Sequence, residues 1–174
     1  MKLFVNSILV GFLLVSVQSC TTSQALLLVD TTNALYDLRA EYDSVKDLLH
    51  NNLHMMEKVD REKLLELEEQ CNFFVNQLET DWKESEFVVL SNAEHYYDVG
   101  KEIYLRGAEI VKPYIQRMSP IERYYLKKFK ADAQIVETLY EKMRKEPTVR
   151  NRYRLIESGM KFATLALRVG IVAM

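Results

Sequence analysis

Glycine and proline are nearly missing from this chain: its 174 residues hold 5 Gly and 3 Pro. Tight turns draw on both residues for their backbone angles. Such scarcity excludes a strand-and-turn architecture and points to long helices. It also excludes phosphate-cradling loops, since neither G-x-x-x-x-G-K nor G-x-G-x-x-G occurs. The G-x-S-x-G and H-E-x-x-H signatures of hydrolases and metallopeptidases are absent too. With 2 Cys in all, no structural zinc site can be completed by cysteine alone. The chain is therefore read as non-enzymatic, with no cofactor. No N-x-[ST] sequon occurs, and no apolar run reaches the ~20 residues that span a bilayer.

What is present begins at the N-terminus. Met1-Lys2 precedes LFVNSILVGFLLVSV, an apolar run interrupted by Asn6, Ser7 and Ser16. It closes at V-Q-S, with Ser19 and Val17 at the −1 and −3 positions of a cut before Cys20. One charge, a short apolar core and a small-residue exit make up a cleaved secretory signal. Residues 1–19 are thus expected to be a signal peptide, and residues 20–174 a single exported domain, secreted to the extracellular space. Cys20 then has three readings. It can pair with Cys71 in an oxidising compartment, a bridge of roughly 4 kcal/mol in the chain-entropy model. V-Q-S-C also resembles a bacterial lipobox, although such boxes carry Leu where Val17 stands and a small residue where Gln18 stands. That resemblance implies an acylated Cys20 and an outer-membrane lipoprotein facing the periplasm. The third reading leaves Cys20 at a frayed terminus and Cys71 as a core hydrophobe. An uncleaved anchor is a further alternative.

Apolar spacing predicts the elements. Leu35, Leu38, Tyr42, Val45, Leu49 and Met56 step by threes and fours, one face of a helix from about 25 to 58. Asp60 is expected to cap a second helix, whose stripe runs Leu64, Leu67, Cys71, Phe74, Leu78 and Trp82. Ser91-Asn-Ala-Glu94 reads as a capping box opening a third helix, which Pro113 should kink or end. Ser119-Pro120-Ile121-Glu122 combines an N-cap, proline at the first helical position and Glu at the third. It opens a fourth helix to about 145. Glu146-Pro147-Thr148 breaks the chain before a last, mostly apolar helix through Tyr153, Ile156, Met160 and Leu167. The expected fold is an all-α antiparallel bundle of four to five helices. Its long stripes suit coiled-coil packing and would serve a homodimer as readily as a monomer.

Candidate chemistry is sparse. Asp47, His50, His54 and Glu57 fall along one side of the first helix, and histidines four apart can share a metal. They also flank a core stripe where side chains face water, so His50 and His54 are the weak metal candidates and no metal is expected. Ten tyrosines suit a ligand wall, an interface or an ordinary core with hydroxyls at the surface. The charge distribution is uneven. Residues 20–100 hold 6 Lys+Arg against 17 Asp+Glu, and residues 101–174 hold 16 against 8. Acidic early helices packed on basic late ones would account for this. A basic face for an anionic partner would as well, with RYYLKKFK (123–130) and KMRKEPTVRNRYR (142–154) concentrating the charge. An exported protein rarely meets nucleic acid, so none is expected as a partner. Anionic lipid, a fatty-acid carboxylate or an acidic protein fits better.

From Tyr114, the segment YIQRMSPIERYYLKKFK resembles part of the nematode secreted fatty-acid- and retinol-binding proteins, over about residues 111–144. The resemblance implies an all-helical carrier with an apolar cavity. It would be lined by Tyr114, Tyr125, Phe129, Val136 and Tyr140, with Lys128 or Lys130 near a carboxylate. The expected function is thus an exported helical protein that binds an apolar or amphipathic ligand of the fatty-acid or retinoid class, or an anionic surface. The alternative is a lipid-anchored envelope bundle acting as a scaffold or assembly partner.

Overall fold

A computed structural model describes the backbone of residues 2–55 and 58–172. It describes side chains from residue 23 to 167, apart from positions 52, 55–57, 111, 114, 117, 122 and 125. Six α-helices follow in order: α1 (Lys2–Asn52), α2 (Lys58–Glu84), α3 (Glu86–Ser91), α4 (Ala93–Val111), α5 (Pro120–Lys145) and α6 (Val149–Val172). Short 3-10 turns at Leu53–Met55 and Lys112–Arg117 follow α1 and α4. No strand occurs among the described residues, as the shortage of turn residues implied.

Local chemistry explains most boundaries. Proline in a helix interior removes a backbone bond and clashes with the preceding turn, and α4 gives way to its 3-10 turn just before Pro113. Helix α5 starts at Pro120, where the Ser119 carbonyl accepts from the Arg123 N–H at 3.0 Å. After Pro147, the Thr148 hydroxyl caps α6 by accepting from the Asn151 N–H at 3.2 Å. The buried Asn151 side chain donates back to the Glu146 carbonyl at 2.8 Å.

Three expectations are corrected. The first helix ends at Asn52 rather than near 58, where two successive asparagines favour leaving the helix. Asp60 lies inside the first turn of α2, where its charge faces the positive helix end instead of capping it. Ser91 is not a cap. It ends the six-residue α3, which Ser85 caps by accepting from the Phe87 N–H at 3.2 Å. Asn92 then joins α3 to α4 without a side-chain cap bond.

Cross-helix pairs define the topology. Arg39 bonds Asn76 while Lys46 lies 3.8 Å from Glu68, so α1 and α2 run antiparallel. Arg106 meets Glu66 at 3.1 Å, and the Tyr96 hydroxyl donates to Asp81, which sets α4 antiparallel to α2. Tyr97 stacks on Tyr140 at 3.8 Å and Tyr104 meets Phe129 at 5.2 Å, which sets α5 antiparallel to α4. Phe129 stacks on Phe162 at 4.6 Å to bring α6 alongside. Five long helices make an odd count, so the first and last share a direction. Ala25 and Leu28 of α1 accordingly sit beside Val149 and Tyr153 of α6, and Lys161 feels Asp30 and Asp37. Sequence neighbours are antiparallel as expected, but α1 and α6 are parallel.

Helix α6 is central, packing against α1, α3, α4 and α5. One core cluster draws on every helix, including Leu38, Tyr42, Leu78, Val89, Tyr96, Val136, Met143, Leu155 and Met160. Its polar members are paired. The Tyr42 hydroxyl donates to Glu68, and burial together with that carboxylate holds the phenol well above its ordinary value.

Candidate functional site

Opposite directions in sequence bring residues 24–28 of α1, the short helix α3 and the start of α6 to one end of the bundle, beside the ends of α2 and α5. The first three segments line an open groove of about 530 Å³. Ala25, Leu28, Phe87, Leu90, Val149 and Tyr153 supply its apolar wall, and Gln24, Glu86, Ser91 and Arg152 its polar one. Arg152 holds the end together. Its guanidinium donates to the carbonyls of Leu90 at 2.7 Å and Ser91 at 3.2 Å, satisfying the last acceptors of α3 that no helical N–H reaches. Burial and then Glu86 push the Tyr153 phenol up to about 12. Phe87 remains 72% exposed and Val149 47%.

The electrostatics of this end are unbalanced. Lys142, Arg144 and Lys145 occupy the last turn of α5, where cations complement the helix dipole. Arg150, Arg152 and Arg154 open α6, which has no acidic residue in its first turn. Cations there oppose the dipole. Arg152 is accounted for by its carbonyls and Arg144 by Glu94 at 3.8 Å. Lys142, Lys145, Arg150 and Arg154 make no ion pair within 4.0 Å among the described residues.

The N-terminal segment attaches at this same end. Gln24 lines the groove, and Cys20 lies four residues earlier on the α1 backbone, about 6 Å along the axis. Cys71, in contrast, is a half-buried free thiol in the middle of α2. It neighbours Tyr42 and Glu68, and burial followed by Glu68 pushes it up to about 12, so it stays protonated. Helix α1 is continuous from Cys20 to Tyr42, a rise of roughly 33 Å. A disulfide needs Cα atoms within about 7 Å. A Cys20–Cys71 bridge within one chain does not fit this backbone.

The residues taken from the carrier resemblance lie elsewhere. Phe129 is buried against Phe162 and Tyr104, Val136 belongs to the core, and Tyr140 is covered by Tyr97. All three pack against neighbouring side chains rather than line the groove between α1, α3 and α6. Lys128 and Lys130 are exposed. The side chains of Tyr114 and Tyr125 lie outside the described residues. His50 is 4.0 Å from Glu68, His54 is exposed on the 3-10 turn, and Glu57 lies outside the described residues. No group of three or more metal-ligating side chains occurs among the described residues. A second cleft of about 280 Å³ between α2 and α4 is bridged by the Glu66–Arg106 ion pair.

Sequence reasoning flagged residues 142–154, Arg152 among them, for charge but missed Phe87, the contact of Arg152 with α3, and the groove. Their signal is tertiary, because α3 and α6 are about 60 residues apart in the chain.

No family model matches the chain, and neither a curated protein nor a solved structure matches it. The fold places it among all-α helical bundles. Among the described residues, no helix is long and apolar enough to cross a membrane.

Proposed function

We propose that this protein is an exported, non-enzymatic helical scaffold held against an anionic membrane surface by the end of the bundle that carries Cys20. One observation carries the reading. The N-terminal attachment, exposed Phe87 and Val149, and the uncompensated cations Lys142, Lys145, Arg150 and Arg154 converge on one end. Stable anchoring takes two signals, such as two acyl chains or one chain with a basic patch, and the cations and apolar side chains at this end would add to the chains carried by Cys20. Basic side chains near an anionic surface contribute about 1 kcal/mol each, and fully burying a phenylalanine contributes about 1.5–3 kcal/mol. Acylation at Cys20 would place this end at the headgroups and the rest of the bundle outward, as a platform for protein partners.

Intact mass of the natively expressed protein tests the anchor. A diacyl or triacyl adduct on Cys20 is expected, and a chain of unmodified mass beginning at Met1 counts against export. Flotation with vesicles tests the surface, with binding expected to anionic but not to neutral lipid.

A second reading rests on the groove. Ligand pockets commonly span about 300–1,000 Å³, and this one has an apolar wall with Arg152 and Gln24 at hand for a carboxylate. In that case the protein is a secreted carrier of a fatty acid or retinoid. Titration with a fluorescent fatty acid separates the two: saturable binding lost in Leu28→Arg supports the carrier, and none leaves the surface reading.

A further inference from the structure

Two helices present a second apolar stripe to solvent besides the one they bury. On α1 the stripe steps through Leu26, Val29, Asn33, Tyr36 and Ala40, then through Asp43 and Asp47, all exposed. On α5 it steps through Ile121, Tyr124, Lys128, Ala131 and Ile135, and on to Lys142, again all exposed. Both stripes advance by alternating threes and fours, the spacing of a coiled-coil seam. Tyr36 is 63% exposed, Ile121 67% and Ile135 55%, and each is one of a row rather than a scattered single residue.

The stripes differ in charge. Residues 25–52 hold 2 cations and 5 carboxylates, whereas α5 holds 7 cations and 4 carboxylates. Aligned parallel, the seams match in register: Leu26 meets Ile121, Val29 meets Tyr124, Tyr36 meets Ala131, Ala40 meets Ile135 and Asp47 meets Lys142. The first layers are apolar on both sides, the next two set a large side chain against Ala, and the last pairs an acid with a base. Pairing α1 with a second α1 would set Asp43 and Asp47 near like charges, and pairing α5 with α5 would do the same for Lys128 and Lys142. Within one chain the two stripes cannot meet, because α6 packs between the helices that bear them.

We infer that a second copy of this chain docks the α1 seam of one molecule onto the α5 seam of the next. The contact is heterologous, so an unpaired seam remains on each side and assembly continues beyond two copies unless it closes into a ring. Because α1 and α5 are antiparallel within one chain, the parallel seam inverts alternate copies and engages Lys142, so this assembly belongs to copies released from the membrane surface rather than to neighbours anchored side by side.

Sedimentation of the full chain in density-matched detergent tests it. The unaltered protein is expected to self-associate, less so at high salt. Tyr36→Glu and Ile135→Glu should each sediment as monomers with unchanged helicity and melting, since both positions are exposed. Mixing the two variants should restore a 1:1 dimer, because each contributes the seam the other lacks. A monomeric unaltered protein, or a Tyr36→Glu and Ile135→Glu mixture that stays monomeric, overturns the inference. Dimers of Ile135→Glu alone would indicate α1–α1 pairing and overturn it as well.

Discussion

The acidic and basic halves of the molecule pair their cations differently. In the acidic half, the few cations are used. Arg39 reaches Asp43 at 3.1 Å, Lys83 reaches Glu79 at 2.7 Å, Lys46 reaches Glu68 at 3.8 Å and Lys58 reaches Glu62 at 3.9 Å. In the basic half, Lys101 pairs with Glu137 and Lys161 with Glu157, but the terminal cations of α5 and α6 exceed the carboxylates near them. Among the described residues, ion pairs between the halves are few, Arg106–Glu66 and Arg144–Glu94 among them. Mutual neutralisation of acidic and basic helices therefore explains only part of the asymmetry. The cause is topological: α5 packs mainly on α6, not on α1 or α2, so its charge is kept away from the acid. A near-neutral total conceals two faces of opposite sign, each free to act outward.

Breaking what the halves share should have the largest effect. Leu78→Ala in α2 and Leu155→Ala in α6 each remove a fully buried side chain from one common core, at a cost of about 2–5 kcal/mol. Chemical denaturation should show both variants losing all helix in a single shifted transition. If Leu78→Ala melted the acidic half alone, the shared core would be disproved.

Next comes the uncompensated charge. Replacing Lys142, Lys145 and Arg150 with glutamine should weaken binding to anionic vesicles by about 3 kcal/mol, roughly 100-fold, while melting stays unchanged. The matched replacement in the acidic half, Asp43, Asp47 and Glu62 to asparagine or glutamine, should not weaken vesicle binding at all. Equal losses from both triple variants would remove the distinction between the halves.

Arg152→Ala should cost about 1–3 kcal/mol, since it strips partners from the carbonyls of Leu90 and Ser91. Hydrogen exchange should report the loss locally, in α3. Arg150→Ala, two residues away and without such a bond, should leave α3 protection as it is.

The smallest effect concerns pH. The Lys83 hydrogen bond lowers Glu79, and the Tyr97 hydrogen bond lowers Glu137. A depressed folded value means stability that is present above the ordinary carboxylate range and lost as pH falls. Glu137 is exposed and Glu79 partly so, so the drop in melting temperature below about pH 4.5 should be slight. Glu79→Gln should flatten the acid side of the curve in the acidic half, and Glu137→Gln in the basic half.

Local punctuation was legible in the residues. Pro113, Pro120 and Pro147 mark helix ends because a missing N–H and a fixed φ act within one turn, and apolar steps of three and four mark the buried faces. The charge run at 142–154 could likewise be seen as an anomaly. The six-residue α3 could not, since S-E-F-V-V-L continues the apolar pattern before it and only the Ser85 cap reveals a new start. Nor could the difference between Phe129 and Phe87, two phenylalanines beside charged residues. One is stacked on Phe162 and the other stands in solvent.

Sequence alone thus settles that the chain is helical and where most helices stop, because those preferences are read within one or two turns of backbone. Tertiary structure alone decides that α1 and α6 run parallel, that Arg152 closes α3, and that two apolar stripes are left facing water. These depend on contacts between residues far apart in the chain, which side-chain shape and helix count select only once the core has closed.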